Sequence, residues 1–276
     1  MAPAPKARQQ IKRPILLVGA GRMGGALLKG WLAAGFGPIT VVEPNPSAAL
    51  KSLARKRAIT LVAAPSQVTA KKIAACVVAM KPQVLKTEAA ALAGIASRGA
   101  LMISIAAGTT IAAMATAWGR KARIVRAMPN TPGAIGAGIT GLFAPRGVTA
   151  ADRRLAASLL AALGQTLWLS KEGLIDSVTA VSGSGPAYLF LMVEALAQAG
   201  MAEGLPRALA EQFARATVVG AGALLAADKA PASALREAVT SPGGTTAAAL
   251  AVLMPQLPDL MKRAVHAARK RAEELR

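Results

Sequence analysis

The chain has little of what staples, ligates or stacks. It contains one cysteine, Cys76, so no intramolecular disulfide can form and a reducing, cytoplasmic setting is expected. Its one histidine, His266, falls in a basic terminal helix pattern and reads as a surface residue; no cluster of Cys, His and carboxylates has metal-ligand spacing. Aromatic residues make up 3% of the chain, which leaves few rings to stack on bases. Acidic residues are also scarce, with 13 Asp and Glu against 33 Lys and Arg and a net charge of +20. The basic residues are spread along the whole sequence and carry no zinc-finger or RNA-recognition signature. A diffuse, solvated basic surface is therefore expected, and a nucleic-acid partner is not. The most apolar windows, such as Ala74–Met80 and Leu101–Ala107, fall far short of the ~20 residues of a membrane span. The opening segment lacks the apolar stretch of a secretory signal, and residues 1–13 read as a disordered basic tail.

What is present is apolar bulk: 54% of 276 residues are hydrophobic, enough to exclude disorder and to fill a large core. From Pro14 onwards short apolar runs alternate with helical patterns. Pro14–Val18 leads into a glycine cluster, and Leu27, Leu28, Trp31 and Leu32 then recur at helical spacing. Ile39–Val42 follows, closing a strand–helix–strand unit. Further strands are expected at Ile59–Val62, Ile73–Met80, Leu101–Ile105, Ala122–Arg126, Ile139–Phe143 and Thr166–Leu169. Helices are expected at Val84–Ala96, Thr110–Trp118 and Ala150–Leu163. This alternation predicts an α/β fold, a Rossmann-type doubly wound parallel sheet over residues 14–170. Beyond Ser170 the strands stop. Pro186–Gly200, Pro206–Ala227, Ser233–Thr240, Thr246–Met254 and Leu257–Leu275 read as helices of an all-α domain over residues 171–276. Ala208–Ala226 has few polar residues, so a helix there needs cover on nearly every side. About 100 residues cannot supply that cover alone, and a second copy of the chain is the expected lid.

Gly19-Ala20-Gly21-Arg22-Met23-Gly24 is a G-x-G-x-x-G that follows a strand and opens a helix, the context in which it marks a dinucleotide-binding turn. Gly19 permits the turn, Gly21 lets the backbone approach a pyrophosphate, and Gly24 lets helix pack on strand. Arg22 and Met23 sit at the helix start, where free amides receive phosphate. Glu43 ends the second strand. An acidic residue there accepts hydrogen bonds from ribose hydroxyls and repels a 2′-phosphate, which favours NADH over NADPH. The alternative for Glu43 is a solvated turn residue. Met80-Lys81-Pro82 and Ala106-Ala107-Gly108 lie at two further strand ends, where such sheets bind ligands; small residues at the second leave room for a nicotinamide. Lys81 reads equally well as a ribose contact or a surface lysine.

With these segments, Arg126-Ala127-Met128-Pro129-Asn130-Thr131-Pro132, Ser182-Gly183-Ser184-Gly185-Pro186-Ala187-Tyr188 and Val239-Thr240-Ser241-Pro242-Gly243-Gly244-Thr245-Thr246, the chain resembles the pyrroline-5-carboxylate reductases from Ile15 to Ala268. The resemblance implies reduction of Δ1-pyrroline-5-carboxylate to L-proline with NADH or NADPH, the last step of proline biosynthesis. It also implies a dimer of interlocked C-terminal helices and possible assembly into decamers.

Such a reaction needs a grip on the substrate carboxylate, a group near the ring nitrogen and an exposed nicotinamide face. Two glycines and a helix start in Ser241–Thr246 suit the first need. The Gly244 and Thr245 amides are expected to hold the carboxylate, helped by the Ser241 hydroxyl. An ordinary helix cap is the alternative. By resemblance, Thr246 lies near the ring nitrogen, and Glu172 and Asp228 are acidic groups near the substrate. Asp228 matches only across a one-residue gap. Ser66 stands where many family members have asparagine. The rival readings are a β-hydroxyacid dehydrogenase or general imine reductase, and a dinucleotide sensor or nucleic-acid binder whose support is the +20 charge.

Overall fold

The computed structural model describes residues 11–70 and 72–276. Most of the expected basic tail therefore lies outside the described residues. Within its last part, the Ile11 carbonyl accepts a hydrogen bond from the Gly37 amide, in the turn before the strand Ile39–Val42, at 3.0 Å. The chain divides into two compact units. One contains the segment up to Gly183 together with Ala268–Arg276; the other is Ser184–Ala267.

The first unit alternates strand and helix in the order β1 (Ile15–Val18), α1 (Arg22–Ala33), β2 (Ile39–Val42), α2 (Ala48–Arg55), β3 (Thr60–Val62), β4 (Ala75–Val78), α3 (Pro82–Glu88), α4 (Ala93–Ser97), β5 (Leu101–Ser104), α5 (Ile111–Trp118), β6 (Arg123–Met128), β7 (Gly138–Phe143), α6 (Ala150–Leu160), β8 (Gly164–Trp168) and α7 (Leu174–Val178). The strands form one sheet in the order β3-β2-β1-β4-β5-β6-β7-β8. Pairing is parallel from β3 to β6, with Leu17 beside Val41 and Val77. The sheet is not parallel throughout as expected, because β7 runs antiparallel to β6, pairing Met128 with Gly141. Only the short segment after Met128 joins them, too short for the crossover that a parallel pair requires.

β1, β4 and β5 are buried along their whole length because helices cover both faces, which explains their unbroken apolar sequences. Successive side chains enter opposite layers. Leu17 joins Trp31, Val41 and Leu159 on one face, and Leu16 joins Cys76, Leu85 and Met102 on the other. Trp31 is fully buried, and its indole N–H donates to the Leu159 carbonyl at 2.8 Å. The expected helix Val84–Ala96 is broken into α3, a 3₁₀ turn at Ala89–Leu92, and α4.

A π-helical turn, Thr179–Gly183, leads into the second unit. The division at Gly183 lies later than the expected boundary at residue 170, because α7 packs on β6 and β7. The second unit is helical: α8 (Gly185–Ala202), α9 (Arg207–Ala227), α10 (Ala232–Ala238) and most of α11 (Thr245–Glu274). Two helices were expected where α11 is continuous. Pro255 and Pro258 lie inside it, depriving the carbonyls of Ala251 and Met254 of their usual donors without ending the helix.

In α9 only Ala210 and Ala214 are buried. Phe190, Leu191, Phe213, Val219 and Leu224 are all at least half exposed. A soluble chain does not ordinarily leave so much apolar surface uncovered. The stretch Leu174–Ala202 is even long and apolar enough, by composition, to cross a membrane. It includes part of this uncovered helical surface.

Candidate functional site

The switch point of the sheet lies at β1, which is flanked by β2 and β4, and ligands of such sheets bind beyond the carboxyl ends of these strands. A cavity of 720 Å³ opens there. It is bordered by Gly19, Gly21, Glu43, Asn45, Met80 and Lys81. The three fingerprint glycines have separate, measurable reasons to lack a side chain. Gly19 has φ +86, and a Cβ on it would lie 2.9 Å from the Ala79 carbonyl oxygen. A Cβ on Gly24 would lie 2.1 Å from the Gly19 oxygen, so this residue fixes how closely α1 approaches the turn. A Cβ on Gly21 would meet no atom within 4 Å. Its bareness relieves no crowding within the protein and leaves the first amides of α1 open to a ligand.

Glu43 is held in place. Its Oε2 accepts the Ala20 amide at 2.9 Å, and its Oε1 accepts the Asn45 amide at 3.2 Å. The carboxylate thus bridges the ends of β1 and β2 and faces the cavity. An open cradle of amides beside a fixed carboxylate suits a dinucleotide, with phosphates on the amides and ribose hydroxyls on the carboxylate.

Lys81 is exposed and caps α3, with Pro82 as its first residue. Arg22 and Met23 do not border the cavity: Arg22 is exposed, and Met23 packs against the core. Ala63, Ala64 and Pro65 do border it and escaped notice in the sequence. Their signal is Gln67, whose Oε1 accepts the Ala63 and Ala64 amides at 2.8 and 3.2 Å and so ties back the loop after β3. Ser66 borders a separate hollow. Ala106, Ala107 and Gly108 follow β5 at the same edge of the sheet, and the Ala106 amide donates to Ser104 Oγ at 3.3 Å.

A buried ionic cluster lies beside that loop. Arg126, on β6, is 1% exposed. Its Nη1 is 3.0 Å from Glu172 Oε1, and its Nη2 is 3.7 Å from Asp176 Oδ1. Burial pushes the Arg126 pKa down, and Glu172 opposes that shift. Asp176 also pairs with Arg276. The same Glu172 oxygen accepts the amide of Ile111, the first residue of α5, at 2.8 Å. Glu172, expected near the substrate, thus has its Oε1 on a buried guanidinium and a helix start. The sequence signal for this cluster is a charged residue inside an apolar strand, since a buried charge requires a partner.

The remaining predicted residues belong to the helical unit. Ser241–Gly244 is a tight turn before α11, with Gly243 at φ +71. The Gly244 amide donates to the Ser241 carbonyl at 3.0 Å, so it is not the free donor expected from the sequence. The amides of Thr245 and Thr246 begin the helix and have no acceptor within it. Asp228 ends α9 and is exposed; its Oδ1 accepts the Ala230 amide at 2.8 Å.

Comparison with known proteins gives these features a family. Residues 172–275 match the pyrroline-5-carboxylate reductase dimerisation family, and residues 14–108 match the NADP oxidoreductase, coenzyme F420-dependent, family. The chain is 37% identical over 263 residues to a pyrroline-5-carboxylate reductase of Pseudomonas aeruginosa, covering 95% of this chain and 96% of that protein. It is 38% identical over 261 residues to one from Synechocystis, covering 94% and 97%. The chain belongs to the pyrroline-5-carboxylate reductase family. Among solved structures, the reductase of Coxiella burnetii is similar with a TM-score of 0.87 and 38% identity, over 96% of this chain and 98% of that one. The Plasmodium falciparum reductase, solved with NADP bound, is similar at 0.80 and 26%, over 97% and 99%. Membership of this reductase family accounts for both halves of the molecule: a Rossmann unit for a nicotinamide cofactor, and apolar helices that self-associate.

Proposed function

We propose that the chain reduces 1-pyrroline-5-carboxylate to L-proline, the final step of proline biosynthesis, using NADH in preference to NADPH. The observation that carries the reaction is the family likeness over nearly the whole chain. The bound dinucleotide supplies the hydride; the protein supplies position and electrostatics. The turn after Gly19 holds the pyrophosphate, and Glu43 accepts the adenosine ribose hydroxyls. Lys81 reaches the cofactor from the end of β4, and Ala106–Gly108 leave space for the nicotinamide.

In the helical unit, the Thr245 and Thr246 amides bind the substrate carboxylate, supported by the positive end of α11 and the Ser241 hydroxyl. The Gly244 amide is already used by Ser241, so Gly244 contributes its small size: a Cβ on it would lie 2.3 Å from Ser241 Oγ. The Thr246 hydroxyl orients the ring nitrogen or relays a proton through water. It is too weak an acid to protonate the imine unaided. Asp228 favours the protonated imine electrostatically. The apolar faces of α8 and α9 are covered by a second copy, and dimers assemble further into decamers. The single free Cys76 suits a reducing cytoplasm.

The test is oxidation of NADH and NADPH by the purified protein with 1-pyrroline-5-carboxylate. Thr246→Ala should lower turnover by at least ~10-fold with the fold intact. Turnover at the parent rate would remove Thr246 from the mechanism, and no oxidation of either cofactor by the parent would reject the reaction.

A further inference from the structure

The strand-entry edge of the sheet, opposite the cofactor cavity, is almost uniformly basic. Apart from the loop before β2, which holds no cation, the segments that enter β1 to β6 deliver cations to it. Arg13 precedes β1, Lys56 and Arg57 precede β3, and Lys72 precedes β4. Arg98 precedes β5, and Arg120 and Lys121 precede β6. Because β7 runs the other way, its exit places Arg146 at this edge too. All eight side chains are exposed, and none has an ion-pair partner among the described residues. The acidic residue placed among them, Asp152, is buried and pairs with Arg123 at 2.5 Å. Glu88 lies away from this edge, bordering the cofactor cavity and the adjoining hollow into which the Arg98 side chain folds back, and forms no ion pair.

Neighbouring strands lie about 4.8 Å apart, within the ~8 Å screening length of physiological salt, so these charges reinforce one another. The cost of this repulsion is not offset by the dinucleotide, which binds at the carboxyl ends of the strands. A second copy does not offset it either, since it would bring the same sign of charge. Among the described residues no large hydrophobic side chain is exposed at this edge for insertion into lipid. Nor, among the described residues, is an aromatic ring exposed there for stacking on unpaired bases. What remains is a ridge of cations from β3 to β6, interrupted at β2 and roughly 24 Å long, that faces a row of phosphates.

We propose that this edge binds the phosphate backbone of double-stranded nucleic acid without sequence preference. A duplex presents one charge per ~1.7 Å of axis, and four to five contacts predict a slope of about −4 in log affinity against log salt. The scattered order of the cations in the chain conceals the site; alternating αβ loops gather them.

The experiment is fluorescence anisotropy of a mixed-sequence 20-base-pair DNA duplex, about 20 being ample for a ~24 Å ridge, titrated with the whole protein from ~50 to ~200 mM salt. Micromolar binding with a slope near −4 is expected. The combined variant Lys56→Gln, Arg57→Asn, Arg120→Gln, Lys121→Gln should flatten the slope by about 3 while leaving reductase kinetics unchanged. Lys262→Gln with Lys270→Gln, on the exposed face of α11, should leave the slope as it was. A parent slope shallower than about −2, or equal losses in the two variants, would overturn the proposal. So would binding to anionic phosphatidylserine vesicles with none to the duplex.

Discussion

Replacing Glu43 by serine tests the cofactor reading most directly. The carboxylate has two tasks: its oxygens hold the Ala20 and Asn45 amides at 2.9 and 3.2 Å, and it faces the cavity where the ribose is expected. Losing the first task loosens the turn for NADH and NADPH alike, so it cancels in the ratio of their kcat/KM values. Losing the second removes the bond to the 2′-hydroxyl, a group that NADH has and NADPH lacks. A hydrogen bond to a charged group contributes ~1.5–3 kcal/mol, or about 10- to 150-fold in affinity. NADPH loses no such bond and is relieved of a like charge near its 2′-phosphate. Glu43→Ser should therefore shift the NADH/NADPH ratio of kcat/KM toward NADPH by at least ~10-fold, read from initial rates with each cofactor at fixed substrate. Glu43→Gln should fall between the two, since the amide retains one acceptor without the charge. A ratio changed by less than about twofold in Glu43→Ser, against the ~10-fold expected, would refute the reasoning and move recognition of the ribose elsewhere.

Gly24→Ala places a Cβ 2.1 Å from the Gly19 oxygen, so α1 must move away from the turn. NADH affinity should fall, and Tm should drop by at least ~2 °C by calorimetry. Ile111→Pro removes the amide that Glu172 holds at 2.8 Å while keeping the helix, because proline is tolerated at a first helical position. A lower Tm is expected, and an unchanged one would mean that this bond contributes nothing. Burial pushes the Cys76 thiol pKa up and hides it, so a maleimide should leave it unlabelled in the folded protein and label it after denaturation. Sedimentation at micromolar concentration should show a dimer or larger species; a stable monomer would leave the apolar faces of α8 and α9 unexplained.

Local patterns were legible wherever one short segment carries its own physical reason. Gly19, Gly21 and Gly24 announce a close-packed turn, and unbroken apolar runs such as Ile15–Val18 announce strands covered on both faces. The alternation of strands and helices made the Rossmann unit readable, and the apolarity of α9 signalled a missing partner. Patterns that depend on distant groups were not legible. The prolines at 255 and 258 argue locally for a break, yet the helix continues through them. The direction of β7 depends on how its connection closes, which no residue in Ile139–Phe143 encodes.

Residue types and spacing specify backbone conformations, because glycine, proline and apolar periodicity act within a few residues of themselves. The partners of polar groups are a different matter, since these groups meet only when strands far apart in the chain are brought side by side. That is why the sequence shows Glu172 as an acidic group but not its partners, Arg126 and the Ile111 amide, which only the fold brings against it. It is also why Gly244 was read as a free donor until its amide was found on the Ser241 carbonyl. The gathering of basic side chains on one edge of the sheet has the same cause: parallel topology from β1 to β6 sends the segments that enter these strands to the same side.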